Sequence, residues 1–159
     1  MPDTWKWREG TCPHGATVVV DVDGVLSDAT GRQHYLDGER KDWPGFFAAC
    51  GDDQPIDEIV RLVSLLDPSL VIVLLTARPV RVRPQTLAWL ERFGVRWDLL
   101  IMREEHDGGL GDEFKRRSVR RLIESGYDVR LAFEDDRRNA AMFRAEGIPC
   151  VYIDSGYYD

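Results

Sequence analysis

The sequence predicts an α/β protein, a three-layer α/β/α sandwich built on a central parallel sheet. Two runs of β-branched and aliphatic residues, at 17–20 and 70–75, have the unbroken apolar character of strands that are buried on both faces. Amphipathic segments of helical length separate the apolar runs, and this alternation is typical of parallel strands joined by crossover helices. The chain has 159 residues, enough for a core of its own, and we expect a single domain over 1–159.

The elements alternate regularly after an irregular lead-in at 1–15. Helices are predicted at 55–66, 84–93, 112–125 and 137–146. Asp112 is the expected N-cap residue of the third helix. The strands that follow strand one (17–22) are predicted at 70–75, 98–102, 129–133 and 150–153. These strands would form a Rossmann-like sheet whose carboxyl ends meet at one edge.

Residues 26–55 interrupt the alternation and predict a small insert or cap over the end of strand one. Their periodicity is poor and glycine and proline punctuate them, with a short helix expected near 46–49. Trp43, Phe46 and Phe47 could stack a nucleobase, but a small core belonging to the insert itself is the preferred interpretation.

Composition restricts the class of protein. The net charge of −7 argues against a broad surface that coats nucleic acid, although it allows recognition of a single terminal phosphate. Three widely spaced cysteines without a CxxC pattern predict reduced thiols rather than disulfides or a zinc site. No apolar run approaches transmembrane length, so we expect a cytoplasmic protein without a membrane partner.

The end of strand one carries the first chemical signal. Asp21 and Asp23 stand two residues apart, so their side chains begin on the same side of the strand. Gly24 follows and allows the backbone to turn sharply. Two neighbouring carboxylates repel each other unless a cation or a shared proton intervenes, which makes this strand end a candidate site.

Polar groups follow other predicted elements in the same way. Thr76 and Arg78 follow the second apolar run, residues 134–136 are three acids after a later strand, and Lys115 lies one turn into a helix. Each has an ordinary structural explanation by itself, such as a cap or a solvated side chain. Because the carboxyl ends of parallel strands share one edge, we expect these groups to converge with Asp21.

The set DVDGVL, LLTARP, a later lysine and a late acidic pair resembles the haloacid dehalogenase-type phosphatases over 18–153. The resemblance implies Asp21 as a nucleophile that forms an aspartyl-phosphate and Asp23 as the acid/base. It also implies Thr76 and Lys115 as phosphate ligands. A Mg²⁺ site would then use Asp21, the backbone carbonyl of Asp23, and Asp135, with Glu134 and Asp136 orienting waters or capping a helix.

Within those phosphatases, the chain is most similar to the phosphatase half of bacteriophage polynucleotide kinase. The similarity lies in the spacing of Arg32, the Thr76–Arg78 triplet and the segment 133–147. That resemblance implies removal of 3′-phosphates from DNA or RNA ends, a nucleic-acid repair reaction. It places Arg32 and Arg78 against the substrate phosphate or the adjoining nucleotide. The alternative for Arg32 is a structural ion pair with Asp28 or Asp37.

The sequence departs from that pattern in three places. Glu134 stands where an aspartate is usual, and the acid expected before Lys115 falls near Gly111 or Asp112. No GxxxxGK[ST] pattern occurs, so a kinase acting with this phosphatase would be a separate partner. A small-molecule nucleotidase of the same fold and a catalytically silent binding module are the competing functions. Asp23 argues against the silent module, because loss of the acid/base is an easy way to silence such a site.

Overall fold

The computed structural model describes residues 2–158, within which six strands form one large sheet. In chain order the strands are β1 (Trp5–Trp7), β2 (Ala16–Val20), β3 (Ser27–Asp28), β4 (Gln54–Pro55), β5 (Val71–Pro79), β6 (Leu99–Arg103), β7 (Asp128–Glu134) and β8 (Cys150–Tyr152). The order in the large sheet is β1-β6-β5-β2-β7-β8, and within this sheet, as described over residues 2–158, only the β1–β6 pair is antiparallel. The predicted α/β class with a mostly parallel central sheet is confirmed.

Helices cover both faces of this sheet. Helices α2 (Asp57–Leu65) and α3 (Arg83–Arg92) lie on one face, and α4 (Gly111–Glu124) and α5 (Arg137–Ala145) lie on the other. Helix α1 (Trp43–Ala48) belongs to the segment between β2 and α2. Successive valines of β2 alternate between the two resulting cores, as the period of a strand requires. Val18 and Val20 pack in the core that includes residues of α2 and α3, and Val19 packs in the core that includes residues of α4 and α5. The molecule therefore has the predicted three layers.

Strand β2 lies at the centre because it is apolar on both faces and pairs on both edges. Val20 pairs with Leu74 of β5 on one side and with Phe133 of β7 on the other. All three strands are parallel, so the residues that follow them lie at the same edge of the sheet. Asp21 comes directly after β2 at this edge.

The segment between β2 and α2 leaves the sheet and returns close to its starting point. Ser27 pairs with Pro55 and Asp28 with Gln54 in the two-stranded β3–β4 ladder. Between them lie a 3₁₀ helix (Thr30–Leu36), helix α1 and a second 3₁₀ helix (Ala49–Asp52). Three aromatic side chains of α1 contact one another. The distances between the ring centroids of Trp43, Phe46 and Phe47 are 5.2–5.8 Å.

Two local predictions are wrong. The lead-in is not irregular throughout, because Trp5–Trp7 forms the antiparallel edge strand β1. Three residues are too few to show a period in sequence, although Trp5 and Trp7 both pack against the core. Asp112 is not the N-cap of α4: Leu110 occupies that position, and Asp112 lies in the first turn, where its charge still favours the positive helix end.

Strand β5 is longer than predicted and runs through Thr76 and Arg78 to Pro79. None of the helices within residues 2–158 combines the length and the apolar character needed to cross a membrane.

Candidate active site

The structure brings Asp21, Lys115, Glu134 and Asp135 together at the carboxyl edge of the sheet. Lys115 Nζ donates to Asp21 Oδ1 at 2.9 Å and to Glu134 Oε2 at 2.7 Å. All four side chains belong to buried residues, with Lys115 2% and Glu134 1% exposed. Lys115 reaches the sheet from the first turns of α4, whose buried positions also include Phe114.

Three carboxylates in this cluster could hold a metal ion. One ligand oxygen from each of Asp21, Glu134 and Asp135 lies within 4.8 Å of the others. Lys115 is the only cation that forms an ion pair with any of them among residues 2–158, so three acids face one ammonium. The donor set is made of hard carboxylate oxygens, which suit Mg²⁺, and the excess of negative charge favours a divalent cation.

The pKa values of the cluster reflect this crowding. Burial and the neighbouring Glu134 raise the pKa of Asp21 well above its usual range. Burial also raises the pKa of Asp135, to about 6. Burial acts in the same direction on Glu134, but Lys115 outweighs it and lowers the pKa of that carboxyl. The negative charges of Asp21 and Glu134 overcome the effect of burial on Lys115 and raise the pKa of its ammonium.

Glu134 is the metal-capable residue that sequence reasoning underestimated. Besides Lys115, its carboxylate accepts hydrogen bonds from the backbone N–H groups of Asp135 and Asp136 at 3.1 and 3.3 Å. Asp136 does what the sequence suggested for it, since it is the N-cap of α5 and accepts from the Arg138 N–H at 2.9 Å. Glu134 therefore supplies a carboxylate to the cluster, although an aspartate is usual at this position.

Asp23 pairs with two arginines rather than with Lys115. Arg78 Nη2 and Arg32 Nη2 each donate to Asp23 Oδ1 at 2.7 Å. Burial by itself raises the pKa of Asp23, but the two guanidinium groups outweigh burial and lower it to about 2. Asp23 is therefore a carboxylate at neutral pH.

Arg32 and Arg78 converge on Asp23, a partner that the sequence did not predict for either of them. Arg32 is 3% exposed and binds Asp53 through Nε at 2.8 Å and Nη2 at 2.6 Å, in addition to Asp23. The alternative considered for Arg32, an ion pair with Asp28 or Asp37, is wrong, because Arg32 pairs with Asp23 and Asp53 instead. Asp53 carried no signal in sequence, because it is one acid in an irregular segment and reaches Arg32 only through the fold.

Arg78 is fully buried and completes this network. It donates from Nη2 to Ser27 Oγ at 3.2 Å and from Nη1 to Thr86 Oγ1 at 3.1 Å. Ser27 in turn donates to Asp53 Oδ2 at 2.6 Å. Both arginines thus have carboxylate or hydroxyl partners in this structure, and their contact with a substrate stays a prediction.

Thr76 lies at the same edge, two residues beyond Leu74, the β5 residue that pairs with Val20 of β2. It is 1% exposed, and its hydroxyl accepts a hydrogen bond from the Arg78 N–H at 3.1 Å. This contact lies within the last residues of β5. Its role as a phosphate ligand stays a prediction.

Residues 155–158 also reach the site, and no catalytic or metal-binding role was predicted for them. Ser155 Oγ donates to Asp135 Oδ2 at 2.7 Å. Tyr158 lies close enough to the acids that they add to burial in raising the pKa of its hydroxyl. Gly24 packs in the same place with φ of +81°, and a Cβ atom there would overlap the Asp135 carboxylate. Glycine is therefore required at position 24 for two independent reasons.

Comparisons with known proteins identify a family model that matches the chain and solved structures of similar fold. A family model described as the polynucleotide kinase PNKP phosphatase domain matches residues 15–158. A chain in the structure of the Pnkp1/Rnl/Hen1 RNA repair complex is similar in fold, with a TM-score of 0.75 and 21% identity over 96% of this chain and 47% of that one. The present chain thus spans about half the length of that relative. The class C acid phosphatase from Bacillus anthracis is also similar, with a TM-score of 0.61 and 16% identity over 94% and 70% of the two chains.

Proposed function

Because the chain belongs to the family of polynucleotide kinase PNKP phosphatase domains, we propose that it removes the 3′-terminal phosphate from DNA or RNA ends. It is a haloacid dehalogenase-type phosphatase and a phosphoric monoester hydrolase, as the sequence predicted. The observation that carries the proposal is the buried cluster in which Lys115 bridges Asp21 and Glu134 at the carboxyl edge of the sheet.

Asp21 is the proposed nucleophile. Its carboxylate attacks phosphorus, the bond between phosphorus and the leaving oxygen breaks, and an aspartyl-phosphate forms. The ammonium of Lys115, 2.9 Å from Asp21 Oδ1, is well placed to neutralise charge on the transferring phosphoryl group. Thr76 is the proposed second ligand of the phosphoryl oxygens, from the neighbouring strand.

Asp21, Glu134 and Asp135 would hold Mg²⁺, with the backbone carbonyl of Asp23 as a further proposed ligand. When bound, the cation offsets the negative charge of the three carboxylates and of the substrate phosphate. The excess of acids over cations at this position supports the proposal.

Asp23 is the proposed acid/base. It would give a proton to the leaving oxygen and then take one from the water that hydrolyses the aspartyl-phosphate. The arginine pair favours its carboxylate form, which suits the activation of water; for the first step Asp23 must gain its proton after the substrate binds. Arg32 and Arg78 fix this carboxylate in place, and we propose that they also lie next to the bound phosphate.

The segment 26–55 is the proposed cap of a single domain, because its β3–β4 base and Arg32 adjoin the residues after β2. It is small, which favours an open site that admits a polymer end. One structure of similar fold belongs to an RNA repair complex, which supports a nucleic-acid substrate. A 5′-kinase that works with this phosphatase would lie outside these 159 residues, since they contain no P-loop pattern.

A substrate panel tests the proposal. With Mg²⁺ present, one oligonucleotide carrying a 3′-phosphate or a 5′-phosphate is compared with a nucleoside 3′-monophosphate and with p-nitrophenyl phosphate. We expect the 3′-phosphorylated oligonucleotide to be hydrolysed fastest, and Asp21→Asn to release phosphate from none of them. Equal or reversed preference for the 5′-phosphate would favour the nucleotidase, and no hydrolysis of any substrate would favour the binding module.

A further inference from the structure

Residues 154–158, here called the C-terminal strap, follow β8 and lie against the acidic cluster. Just before the strap, the Ile153 N–H donates to the backbone carbonyl of Glu134 at 2.9 Å and extends the pairing of β8 with β7. Two residues later, Ser155 Oγ donates to Asp135 Oδ2 at 2.7 Å. The chain thus returns to the candidate metal site after its last strand.

The strap also binds the segment 26–55, so Ser155 is fixed on both sides. The Tyr157 hydroxyl accepts from the Ala29 N–H at 2.7 Å and bonds to Asp28 Oδ1 at 3.0 Å. Within the strap, Gly156 N–H donates to Asp154 Oδ1 at 3.1 Å. Ser155 is therefore held between strand β8 and the base of the segment 26–55.

Asp135 differs from the other two acids in the kind of partner it has. Lys115 makes ion pairs with Asp21 and Glu134, whereas no basic side chain among residues 2–158 makes one with Asp135. A buried carboxylate requires a hydrogen bond, and Ser155 supplies one through a neutral hydroxyl. A neutral donor fixes the rotation of the carboxylate without adding a positive charge that would compete with a cation.

We propose that Ser155 is a positioning residue, which orients the Asp135 carboxylate so that it is ready to bind a divalent cation. The inference rests on the proposed metal site and adds to it a residue outside the motifs of the sheet. Partners that orient metal ligands typically change metal affinity about 10- to 100-fold when they are removed. We expect a loss of that size when the Ser155 hydroxyl is removed.

The test measures binding of Mn²⁺ alone, from the electron paramagnetic resonance signal of the free ion, without substrate. Ser155→Ala should bind Mn²⁺ about 10- to 100-fold more weakly than the wild type. Ser64→Ala is the matched control, since the Ser64 hydroxyl is exposed and bonds only within α2, to the Arg61 carbonyl. Unchanged Mn²⁺ affinity in Ser155→Ala would overturn the proposal.

A second pair of variants separates the hydroxyl from the shape of the side chain. Ser155→Thr and Ser155→Val have nearly the same size, but only threonine can donate to Asp135. We expect Thr to retain the affinity for Mn²⁺ and Val to lose it, and equal affinities would also overturn the proposal. If the wild type binds no Mn²⁺, the metal site itself is wrong. If it binds Mn²⁺ but spares 3′-phosphates, only the proposed substrate is wrong.

Discussion

Replacing Arg32 with alanine should destabilise the fold, because Arg32 joins two acids inside the molecule. The side chain makes hydrogen bonds to Asp53, Asp23 and the Phe46 carbonyl, and its distances to the carboxylates are 2.6–2.8 Å. Removing one partner of a buried ion pair typically costs about 3 to 5 kcal/mol. Asp23 keeps its contact with Arg78, so we expect the lower end, about 3 kcal/mol.

The free energy of unfolding measures this effect directly. Urea titrations of wild type and Arg32→Ala, followed by circular dichroism, should give a lower midpoint with an unchanged slope. The control is Arg81→Ala, which removes an ion pair with Glu105 from a side chain that is 44% exposed. An exposed pair of this kind contributes about 0 to 1 kcal/mol.

The difference between wild type and Arg32→Ala should also depend on pH. The pKa of Asp23 is lowered to about 2 in the folded state, against about 3.9 in an unfolded chain. A lowered pKa contributes stability above the unfolded value, and that contribution is lost as the pH falls from about 4 to about 2. The difference in the free energy of unfolding between wild type and Arg32→Ala should therefore decrease between about pH 4 and about pH 2.

The reasoning would be refuted by an Arg32→Ala protein that keeps wild-type stability at pH 7. If such a protein also lost turnover, Arg32 would act on the substrate rather than on the arrangement of Asp23. A loss of both stability and turnover is the outcome that the structure supports.

Three further predictions concern the acidic cluster. Asp21→Asn keeps the shape of the side chain and should abolish hydrolysis of p-nitrophenyl phosphate while the circular dichroism spectrum is retained. Asp135→Ala should raise the Mg²⁺ concentration needed for half-maximal rate at least about 10-fold, whereas Asp136→Ala should mainly lower the melting temperature, because Asp136 caps α5. Gly24→Ala forces alanine into a left-handed conformation against Asp135 and should cost more than about 1 kcal/mol in urea unfolding, with reduced turnover.

Much of the fold was predictable because its signals are local. The apolar strands and the residues directly after them, such as Asp21 and Asp135, follow from hydrophobic runs and from the geometry of parallel strands. The cluster itself needed one further inference, that Lys115 on a helix turns towards the same edge.

The remainder depends on contacts that no local pattern encodes. Asp53 meets Arg32 from 21 positions away in the sequence, and Ser155 meets Asp135 only after β8 returns beside β7. Strand β1 has only three residues, a lysine between two tryptophans. An alternation of apolar and polar residues this short also occurs by chance, so it does not predict a strand. Glu134 was predicted only to orient waters or cap a helix. The order of the three acids at 134–136 does not show which of their carboxylates lie next to Asp21.

The position of β2 between β5 and β7 has a consequence for how the protein becomes active. The bond between Asp21 and Lys115 spans 94 residues, and that between Ala29 and Tyr157 spans 128. Contacts this distant in sequence are made late and slow the folding of a domain. During synthesis Asp21, the proposed nucleophile, emerges early, but the acidic cluster cannot form until Lys115, 94 residues later, has also been made. Onset of phosphatase activity during refolding should therefore mark the final docking of the sheet, after helical signals have already been regained.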